Sequence, residues 1–403
     1  MIQINGTAVG SKGLRILAIG LDETALTPDK AVEGDTIQRI TKYGKVLDSL
    51  HVVVFTKDRT IPARVQVAEN VFCYPARSRY KTSFFKKAYR IASKIQEKEN
   101  CDLIYTQDCF STGLVGYLLK RNYNLPLCFF FAGDMLNNPH WLKERALNRF
   151  FNVLGNWLIT KADALRVISN SEKEKLINLG LPPEKIWNLG SITDFSRFLQ
   201  ADGASLRSRF LGRDGQFRLL LFVGRLVPQK DPHTLLQALA IILKSHPEVL
   251  LLMVGQGPLQ GELQELAAGL GIEEKVIFAG SVPYDELPFY YAACDVLVLS
   301  SVYEGNARVL AEVAATAKPV VATEVSGTRD TVIDGETGFI VPSQDPGQLA
   351  HRVIRLLDNP ERAKSMGLRG REHVLQLYSE ENLLNGFKDM WETTVFRYKA
   401  GSR

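Results

Sequence analysis

Residues 294–325 read CDVLVLSSVYEGNARVLAEVAATAKPVVATEV. An apolar run of strand length enters a loop, an amphipathic stretch follows, and a second apolar run comes directly after it. Short β-branched runs that alternate with longer amphipathic ones are typical of parallel sheets with crossover helices. The pattern predicts an α/β fold for this part of the chain.

The same alternation extends over both halves of the sequence. Predicted strands in the first half are LRILAIGL, HVVVFTK, CDLIYTQ, LPLCFFF and ALRVISN, and those in the second are RLLLFVGRL, VLLLMVG, KVIFAGS, CDVLVLSS, KPVVATEV and GFIVP. The polar, glycine-containing stretch at 199–216 is the predicted linker. We therefore expect two Rossmann-like domains, residues 1–200 and 201–378, that face a central cleft. The tail 379–403 is predicted to be a helix that packs back onto the first domain.

Composition limits the class of protein. The chain has 403 residues, of which 45% are apolar and 23% charged, enough for two domains with full cores. Its five cysteines form no C-x-x-C pair, which argues against a disulfide framework or a zinc ribbon. With no signal peptide and no apolar run of about 18 residues, we expect a cytoplasmic protein.

Charge is distributed unevenly between the two halves. Residues 1–200 carry 28 basic and 19 acidic side chains, a net of +9, whereas the other half carries 21 and 25, a net of −4. Eight of the basic residues lie at 77–98, interleaved with aromatic ones. This stretch is interpreted either as a surface for an anionic membrane or acidic ligand, or as a helix with a core-facing apolar stripe and a solvated lysine face. No helix-turn-helix, zinc-finger or RNP-like signature indicates nucleic acid.

Two carboxylates and two cations indicate a site for a polar, anionic ligand. Glu304 and Glu312 are eight residues apart, so in a continuous helix both would lie on about the same face, where they could hold a polyol. Arg225 and Lys230 follow a predicted strand in FVGRLVPQKD, and with helix N-terminal amides they would suit a diphosphate. The glycine spacing in MVGQGPLQG also suggests a dehydrogenase, but VIFAGS lacks the acidic residue that would bind ribose.

The second half closely resembles family 4 glycosyltransferases, which have the GT-B fold. The segments FVGRLVPQKD, MVGQGP, VIFAGSVPYDELPFYYAACDVLVLSSVYEG, NARVLAEVAA, KPVVATEVSGTRDTVIDG and TGFIVP follow in that family's order and spacing between about 217 and 345. A weaker resemblance extends through AGDMLNNPHWLKERALNRF and LRVISNSEKEKLINLG in the first half. The E-x7-E pattern in this context is specific.

The resemblance implies a role for each matching position. Arg225 and Lys230 match the cations that stabilise the leaving nucleoside diphosphate, Glu304 the acid that holds donor sugar hydroxyls, and Glu312 the acid that binds ribose. The other implied donor-binding residues are Gly34, Gly224, Gly255, Gly257, Gly280, Gly305, Asn306, Ala307, Arg308, Val309 and Leu310. Asp134 and Asn138 are implied as sugar or acceptor contacts. Ala132 stands where many relatives have a histidine that contacts the donor sugar.

The resemblance implies a retaining transferase that moves a sugar from a nucleotide-sugar to a glycan or lipid-linked acceptor, without a metal ion or other cofactor. The basic stretch 77–98 would then face an anionic membrane at its cytosolic side. A transferase for a small soluble acceptor and a non-catalytic nucleotide-sugar-binding protein stay open as alternatives. The donor's base and sugar are not determined by the sequence.

Overall fold

A computed structural model describes residues 13–27, 36–79, 81–131, 133–211, 217–304 and 308–401. Within these ranges the first half of the chain builds an eight-stranded sheet, in the order β3-β4-β2-β1-β5-β6-β7-β8. Its strands are parallel apart from β3, which pairs antiparallel with β4. They are β1 Arg15–Gly20, β2 Ser49–Thr56, β3 Val65–Ala68, β4 Val71–Arg77, β5 Leu103–Thr106, β6 Leu127–Phe130, β7 Ala164–Val167 and β8 Ile186–Asn188.

Helices cover both faces of this first sheet. They are α1 Thr36–Gly44, α2 Lys81–Glu99, α3 Ser111–Tyr123, α4 Pro139–Glu144, α5 Ala146–Ile159 and α6 Asn170–Asn178. Two further helices, α7 Ser196–Leu199 and α8 Ala204–Leu211, follow β8 and contact helices of the second half of the chain. Along β1, Ile16 and Ala18 enter one apolar core while Leu17 and Ile19 enter the other. A strand that buries both faces is apolar throughout, which explains the continuous apolar runs in the sequence.

The second sheet is parallel and has six strands in the described part of the chain, in the order β11-β10-β9-β12-β13-β14. This order reverses between β9 and β12, so a crevice forms at the carboxyl ends of these two strands. The strands are β9 Arg218–Val223, β10 Val249–Val254, β11 Val276–Gly280, β12 Val296–Leu299, β13 Val320–Thr323 and β14 Phe339–Val341.

The helices of the second half follow its strands in alternation and then continue to the end of the chain. They are α9 Pro232–Ile242, α10 Gln260–Gly269, α11 Leu287–Ala293, α12 Arg308–Ala315, α13 Thr328–Thr331, α14 Pro346–Leu357, α15 Pro360–Leu377 and α16 Glu380–Gly401. Two parallel α/β domains of this kind confirm the predicted fold class.

Part of the predicted linker at 199–216 is ordered instead as α8, which packs on the second domain. Arg207 donates to the Ala293 carbonyl at 2.9 Å and pairs with Asp295 at 3.0 Å. A Cβ on Gly203 would lie 2.2 Å from the Ala293 amide nitrogen, so the backbones touch there. These contacts hold the segment against α11. They could not be predicted from its polar composition, which indicates a linker.

Helix α16 returns to the first domain and covers one face of its sheet. Trp391 is buried there and meets Tyr43 and Tyr105 edge to face at 5.5 and 6.1 Å. The buried Arg166 guanidinium lies 4.6 Å from the ring centroid of Phe387. The last helix of the chain is therefore part of the first domain's core. Within the described residues, every helix is too short or too polar to cross a bilayer.

Candidate active site

The loops that follow β9, β10 and β11 surround a cavity of about 240 Å³ on the β9 side of the switch point of the second sheet. Main-chain atoms of glycine turns form part of its lining, and polar and apolar side chains form the rest. The lining residues are Val223, Gly224, Arg225, Val254, Gly255, Gln256, Ser281, Val282, Tyr284 and Leu287. In open α/β sheets a ligand binds in this crevice, outside the carboxyl ends of the strands.

Glycines bring the backbones of these loops into direct contact. At Gly255, φ is +135°, and an added Cβ would lie only 2.0 Å from the Gly224 carbonyl oxygen. A Cβ on Gly257 would lie 2.2 Å from the Leu226 carbonyl oxygen. Gly280, with φ at +73°, accepts a hydrogen bond from the Gly255 amide at 2.8 Å. Side chains are excluded here by geometry, which leaves main-chain groups at the cavity wall.

Lys230 and Glu304 form an ion pair across the switch point. Lys230 ends the short 3₁₀ turn Pro228–Lys230 after β9, and Glu304 lies in the loop after β12. Ser301 donates to the same Glu304 oxygen at 2.7 Å, and the Glu304 residue is only 6% exposed. The Lys230 side chain runs past Gly224, whose added Cβ would lie 3.5 Å from Lys230 Cε. The pair therefore lies next to the cavity.

Arg225 and Gln229 also connect the loops after β9 and β12, and they lie closer to solvent than the ion pair. Arg225 is exposed, and its guanidinium donates to the Gln229 side chain at 3.4 Å. Gln229 donates in turn to the Tyr303 carbonyl at 3.1 Å and accepts from the Val302 amide at 2.9 Å. The structure thus brings Arg225, Lys230 and Glu304 together, as the sequence predicts for a site of this kind.

Glu312 has a set of partners separate from those of Glu304. Tyr284 and Tyr291 donate to its two oxygens at 3.0 and 2.8 Å, and Arg308 pairs with it at 3.4 Å. Burial raises the pKa of Tyr291, and the Glu312 carboxylate adds to this shift. Because Tyr284 also lines the cavity, Glu312 is bonded to a residue of the cavity wall.

The two glutamates do not lie on one continuous helix, and Glu304 is in the loop after the apolar run, where the sequence places it. Helix α12 begins at Arg308, so Glu304 precedes it in the loop, where Lys230 and Ser301 hold it. On α12, Val309 is half-buried and Leu310 is buried in the core. Of the other candidate residues, Gly34, Gly305, Asn306 and Ala307 lie outside the described residues, as does Ala132.

On the first-domain side, Asp134 and Asn138 belong to one polar network. Asn138 caps α4 through its side-chain oxygen Oδ1, which accepts from the His140 and Trp141 amides at 2.9 and 3.3 Å. Its amide donates to Asp134 at 2.9 Å, and Lys175 pairs with that carboxylate. Asn138 therefore stabilises the start of α4. Both Asn138 and Asp134 also line a larger opening between the domains.

Hydrogen bonds join the two domains around this interdomain opening, whose volume is about 530 Å³. Tyr303 donates to Glu144, and this bond and burial raise the pKa of the Tyr303 phenol. The Asn170 amide donates to Asp330 at 3.0 Å, and burial raises the pKa of that carboxyl. These contacts place the α4 end of the first domain directly beside the loop that carries Glu304.

The basic stretch 77–98 packs as a helix with an apolar side in the core and a lysine-rich side in solvent, which is one of the two interpretations of its sequence. Phe84, Ala88, Ala92 and Ile95 of α2 are buried in the first-domain core. The exposed face carries Lys86, Lys87, Arg90, Lys94 and Lys98. The apolar side of α2 is therefore occupied by the protein itself, and its cationic side faces solvent.

Sequence reasoning missed several residues that hold the site together. They are Tyr284, Tyr291, Ser301, Gln229 and Tyr303. Tyr291 could have been found from its position on the apolar face of α11, since a phenol buried in a core needs a polar partner. The others gain their partners through loop conformations that leave no periodic signal.

Comparison with known proteins gives the class that this fold and site belong to. The model of the family described as glycosyl transferases group 1 matches residues 207–373, and that of glycosyltransferase family 4 matches residues 47–187. D-inositol 3-phosphate glycosyltransferase of Thermomonospora curvata is 33% identical over 299 residues, which cover 68% of each chain. The chain belongs to the family 4 glycosyltransferases and is a transferase enzyme.

A second relative and two solved structures are similar over different extents. A GDP-mannose-dependent alpha-(1-6)-phosphatidylinositol monomannoside mannosyltransferase of Mycolicibacterium smegmatis is 32% identical over 221 residues, 53% of this chain and 58% of that protein. Sucrose-phosphate synthase of Thermosynechococcus elongatus superposes with a TM-score of 0.79 at 22% identity, covering 97% of this chain and all of that one. Anabaena HepE, solved with UDP-glucose, has a TM-score of 0.71 at 21% identity, covering 94% and 99%. These structures confirm the GT-B fold.

Proposed function

We propose that this glycosyltransferase moves a sugar, with retention of anomeric configuration, from a nucleoside diphosphate donor to a hydroxyl of a glycan or lipid-linked acceptor. The observation that carries the proposal is the pair of Lys230 and Glu304 beside the switch-point cavity. A cation for phosphate and a buried acid for sugar hydroxyls stand together there, which suits a ligand that carries both groups.

The chemistry follows from where charge develops. As the bond between the sugar and the diphosphate breaks, negative charge grows on a phosphate oxygen of the leaving group. Lys230 and Arg225 provide two preorganised cations next to main-chain amides of the glycine loops, and α12 begins four residues after Glu304. Positive side chains and a helix N-terminus both stabilise a developing anion. In this proposal the protein's own cations do this work, and no metal ion is required.

Two relatives support a nucleotide-sugar as the donor. The mycobacterial mannosyltransferase depends on GDP-mannose, and HepE was solved with UDP-glucose. These two donors differ in base and sugar but share the diphosphate, which matches the two cations of this site. The base would rest near Gly280, Ser281 and Tyr284, and the ribose would meet Glu312.

The acceptor enters through the interdomain opening in this proposal. That opening is lined by Asp134, His140 and Glu174 of the first domain and by Tyr303 and Arg329 of the second, so it offers polar and charged groups from both domains. One relative acts on an inositol phosphate and another on a phosphatidylinositol mannoside. A glycan or lipid-linked acceptor of cell-surface glycoconjugate synthesis is our leading assignment, and a small soluble acceptor is the second.

The donor assignment is tested by thermal unfolding with a panel of nucleoside diphosphates and their sugars, without divalent metal. We expect one base to raise the melting temperature, because a ligand at a hundred times its Kd stabilises by about 2.7 kcal/mol. Arg225→Ala should abolish this effect, while Glu304→Ala should weaken it for the sugar form more than for the free diphosphate. Stabilisation by none of the nucleotides, or only with added metal, would contradict the proposed site.

Turnover and stereochemistry test the remaining parts of the proposal. With the donor identified, NMR of the product anomeric proton from an inositol phosphate, a sugar phosphate and a lipid-linked acceptor should show the donor's configuration retained. Inversion would overturn the retaining assignment. Binding of a nucleotide-sugar without transfer to any of these acceptors would favour the non-catalytic alternative.

A further inference from the structure

Helix α5 exposes a row of large apolar side chains on the outer surface of the first domain. Leu147, Phe150, Val153 and Trp157 are 53%, 63%, 71% and 43% exposed. Their spacing along Ala146–Ile159 places them within about one third of the helix circumference. We call these four residues the α5 stripe.

Much of the remaining surface of α5 is apolar as well and is already packed on the domain. Leu158 and Ile159 are 0% and 2% exposed, and Phe151 and Leu154 pack against the same core. Arg149, Asn152 and Asn156 form the polar side of α5, and its apolar residues cover more of the circumference than the part that packs on the domain. Apolar helix surface of this width is normally covered by a protein core or by lipid. The α5 stripe is nevertheless exposed in the structure.

Packing fixes this helix so that the stripe stays outside. At Gly155 an added Cβ would lie 2.6 Å from a Phe110 ring carbon and 2.7 Å from a Leu136 methyl group. The helix backbone thus rests directly on these two side chains, and Asn137 donates to the Asn152 side chain at 2.7 Å. A rotation that turned Phe150 or Val153 inward would break both contacts.

Cations surround the stripe. Residues 143–161 contain Lys143, Arg145, Arg149 and Lys161 but one acid, Glu144, which accepts the hydrogen bond from Tyr303. The Lys161 ammonium lies 5.6 Å from the Trp157 ring centroid. Helix α3 packs between α5 and α2, so the cationic outer face of α2 belongs to the same helical layer.

These observations fit an anionic bilayer better than a second copy of the chain. A large side chain offers roughly 150–250 Å². At about half exposure the stripe presents on the order of 400 Å², half of the roughly 800 Å² that each partner buries in a standard interface. Two copies would also oppose like charges, whereas anionic lipid complements each nearby lysine and arginine. Trp157, at one end of the stripe, is a residue type enriched at membrane interfaces.

We infer that the α5 stripe docks this protein onto an anionic membrane, with the cationic face of α2 beside it. The stripe would enter the boundary between headgroups and acyl chains, as interfacial amphipathic helices do. Helix α5 is about 21 Å long, and it begins two residues after Glu144, which contacts Tyr303 at the interdomain opening. Docking therefore holds this opening close to the lipid surface. That last step alone, access to a lipid-linked acceptor, rests on the proposed function.

Vesicle flotation of the full chain tests the inference, with no donor or acceptor present. Vesicles of phosphatidylcholine alone are compared with vesicles that contain phosphatidylglycerol as well. We expect binding to the anionic vesicles, at least tenfold weaker for the Phe150→Ser, Val153→Ser double variant. Its fold is checked by an unchanged melting temperature, since both side chains are exposed. The control is Phe396→Ser, a side chain 74% exposed on α16 at the other face of the sheet, and it should bind like the wild type.

Two more readouts distinguish insertion from simple charge attraction. Tryptophan emission should shift to the blue with anionic vesicles, and Trp157→Phe should remove most of that shift. Neutralising Lys86, Lys87 and Arg90 should lower the affinity and its salt dependence without abolishing the shift. Equal vesicle binding by the wild type and the stripe double variant would overturn the inference. So would a dimer of the wild type that the double variant cannot form, because a second copy would then cover the stripe. Each of these results leaves the donor-site experiment unaffected.

Discussion

Lys230 and Glu304 pair across the gap between the carboxyl ends of β9 and β12, where the strand order of the second sheet reverses. Both side chains are largely buried, at 15% and 8% exposure. Removing one partner of such a pair leaves the other as an uncompensated charge. In the proposed reaction the donor separates them, since its phosphate takes the lysine and its sugar hydroxyls take the carboxylate.

Lys230→Ala should therefore reduce kcat more than it raises KM. The cation is assigned to charge that grows only in the transition state, and loss of one such group typically costs about a hundredfold or more in rate. Steady-state kinetics with the donor identified by the nucleotide panel measure the effect. Lys244→Ala, an exposed lysine of the same domain, is the control and should retain full activity. A Lys230→Ala enzyme with normal kcat and a raised KM would show a role in ground-state binding alone.

Tyr291 positions Glu312 from inside the core, so Tyr291→Phe should weaken nucleotide binding. The phenol donates to Glu312 at 2.8 Å, and a buried hydrogen bond of this kind contributes about 1 kcal/mol, or roughly fivefold in Kd. Calorimetric titration of the nucleoside diphosphate measures this change. Tyr290→Phe, next to it with its ring on Phe210, is the matched control. Equal Kd values for wild type and Tyr291→Phe would show that Tyr284 and Arg308 suffice to hold the carboxylate.

The strands of both sheets could be predicted because their apolar runs are buried on both faces. Strands β3, β4 and β8 were not predicted. β3 is a four-residue edge strand with no buried residue, β4 mixes buried and half-buried residues, and β8 has only three residues. The helix expected for the tail 379–403 is α16, Glu380–Gly401. Local sequence decides such elements because their stability depends on a pattern within one segment.

The site was predictable in its residue types and less so in its contacts. Arg225, Lys230 and Glu304 fall together because they follow strands that are neighbours in the sheet. The loop position of Glu304 follows from the end of the apolar run before it, whereas the separate partners of Glu312 depend on how Tyr284 and Tyr291 approach it. Likewise, α5 has an ordinary amphipathic composition in the sequence. Phe150 and Val153 are exposed because Phe110 and Leu136 pack against the helix at Gly155. The sequence of α5 alone does not show which side these residues cover.

Gly255→Ala should destabilise the second domain by about 2 kcal/mol or more. The position needs positive φ, and the new methyl group would meet the Gly224 carbonyl oxygen, which belongs to rigid backbone. Because Gly224 precedes Arg225, nucleotide binding should weaken as well. Gly261→Ala on α10, where an added Cβ meets open space, is the control and should stabilise by up to about 1 kcal/mol. Urea unfolding of the wild type and of both variants, monitored by circular dichroism, measures these changes in the free energy of unfolding.

Trp391→Ala should show how strongly α16 contributes to the first domain. The indole is 1% exposed, and truncation of such a side chain costs about 3–5 kcal/mol because a cavity replaces its contacts. Phe396→Ala on the same helix, with its ring 74% exposed, should change stability by less than about 0.5 kcal/mol. Thermal unfolding gives both values. A small loss for Trp391→Ala would mean that α16 separates from the domain before the rest unfolds.

Glu172 makes the stability of the first domain depend on pH. Its carboxylate is buried and accepts from the Gly133 and Ile168 amides, both at 3.0 Å, and burial raises its pKa to about 8. Between its ordinary pKa near 4.5 and about 8, the folded state keeps a proton that the unfolded state has released. Raising the pH through this range therefore favours unfolding. The free energy of unfolding should fall from pH 5 to pH 8, and Glu172→Gln should flatten that slope.

The matched control for this pH dependence is Glu174→Gln, which removes an exposed carboxylate from the same helix. It should keep the slope of the wild type, because this side chain is exposed in the folded state as it is in the unfolded one. Melting temperatures at pH 5, 6.5 and 8 in buffers of equal ionic strength provide the measurement. The Gly133 amide that Glu172 holds belongs to the loop with Asp134 at the interdomain opening. Acceptor KM should therefore change with pH in the wild type more than in Glu172→Gln. An identical slope in both proteins would show that Glu172 is ionised throughout the range.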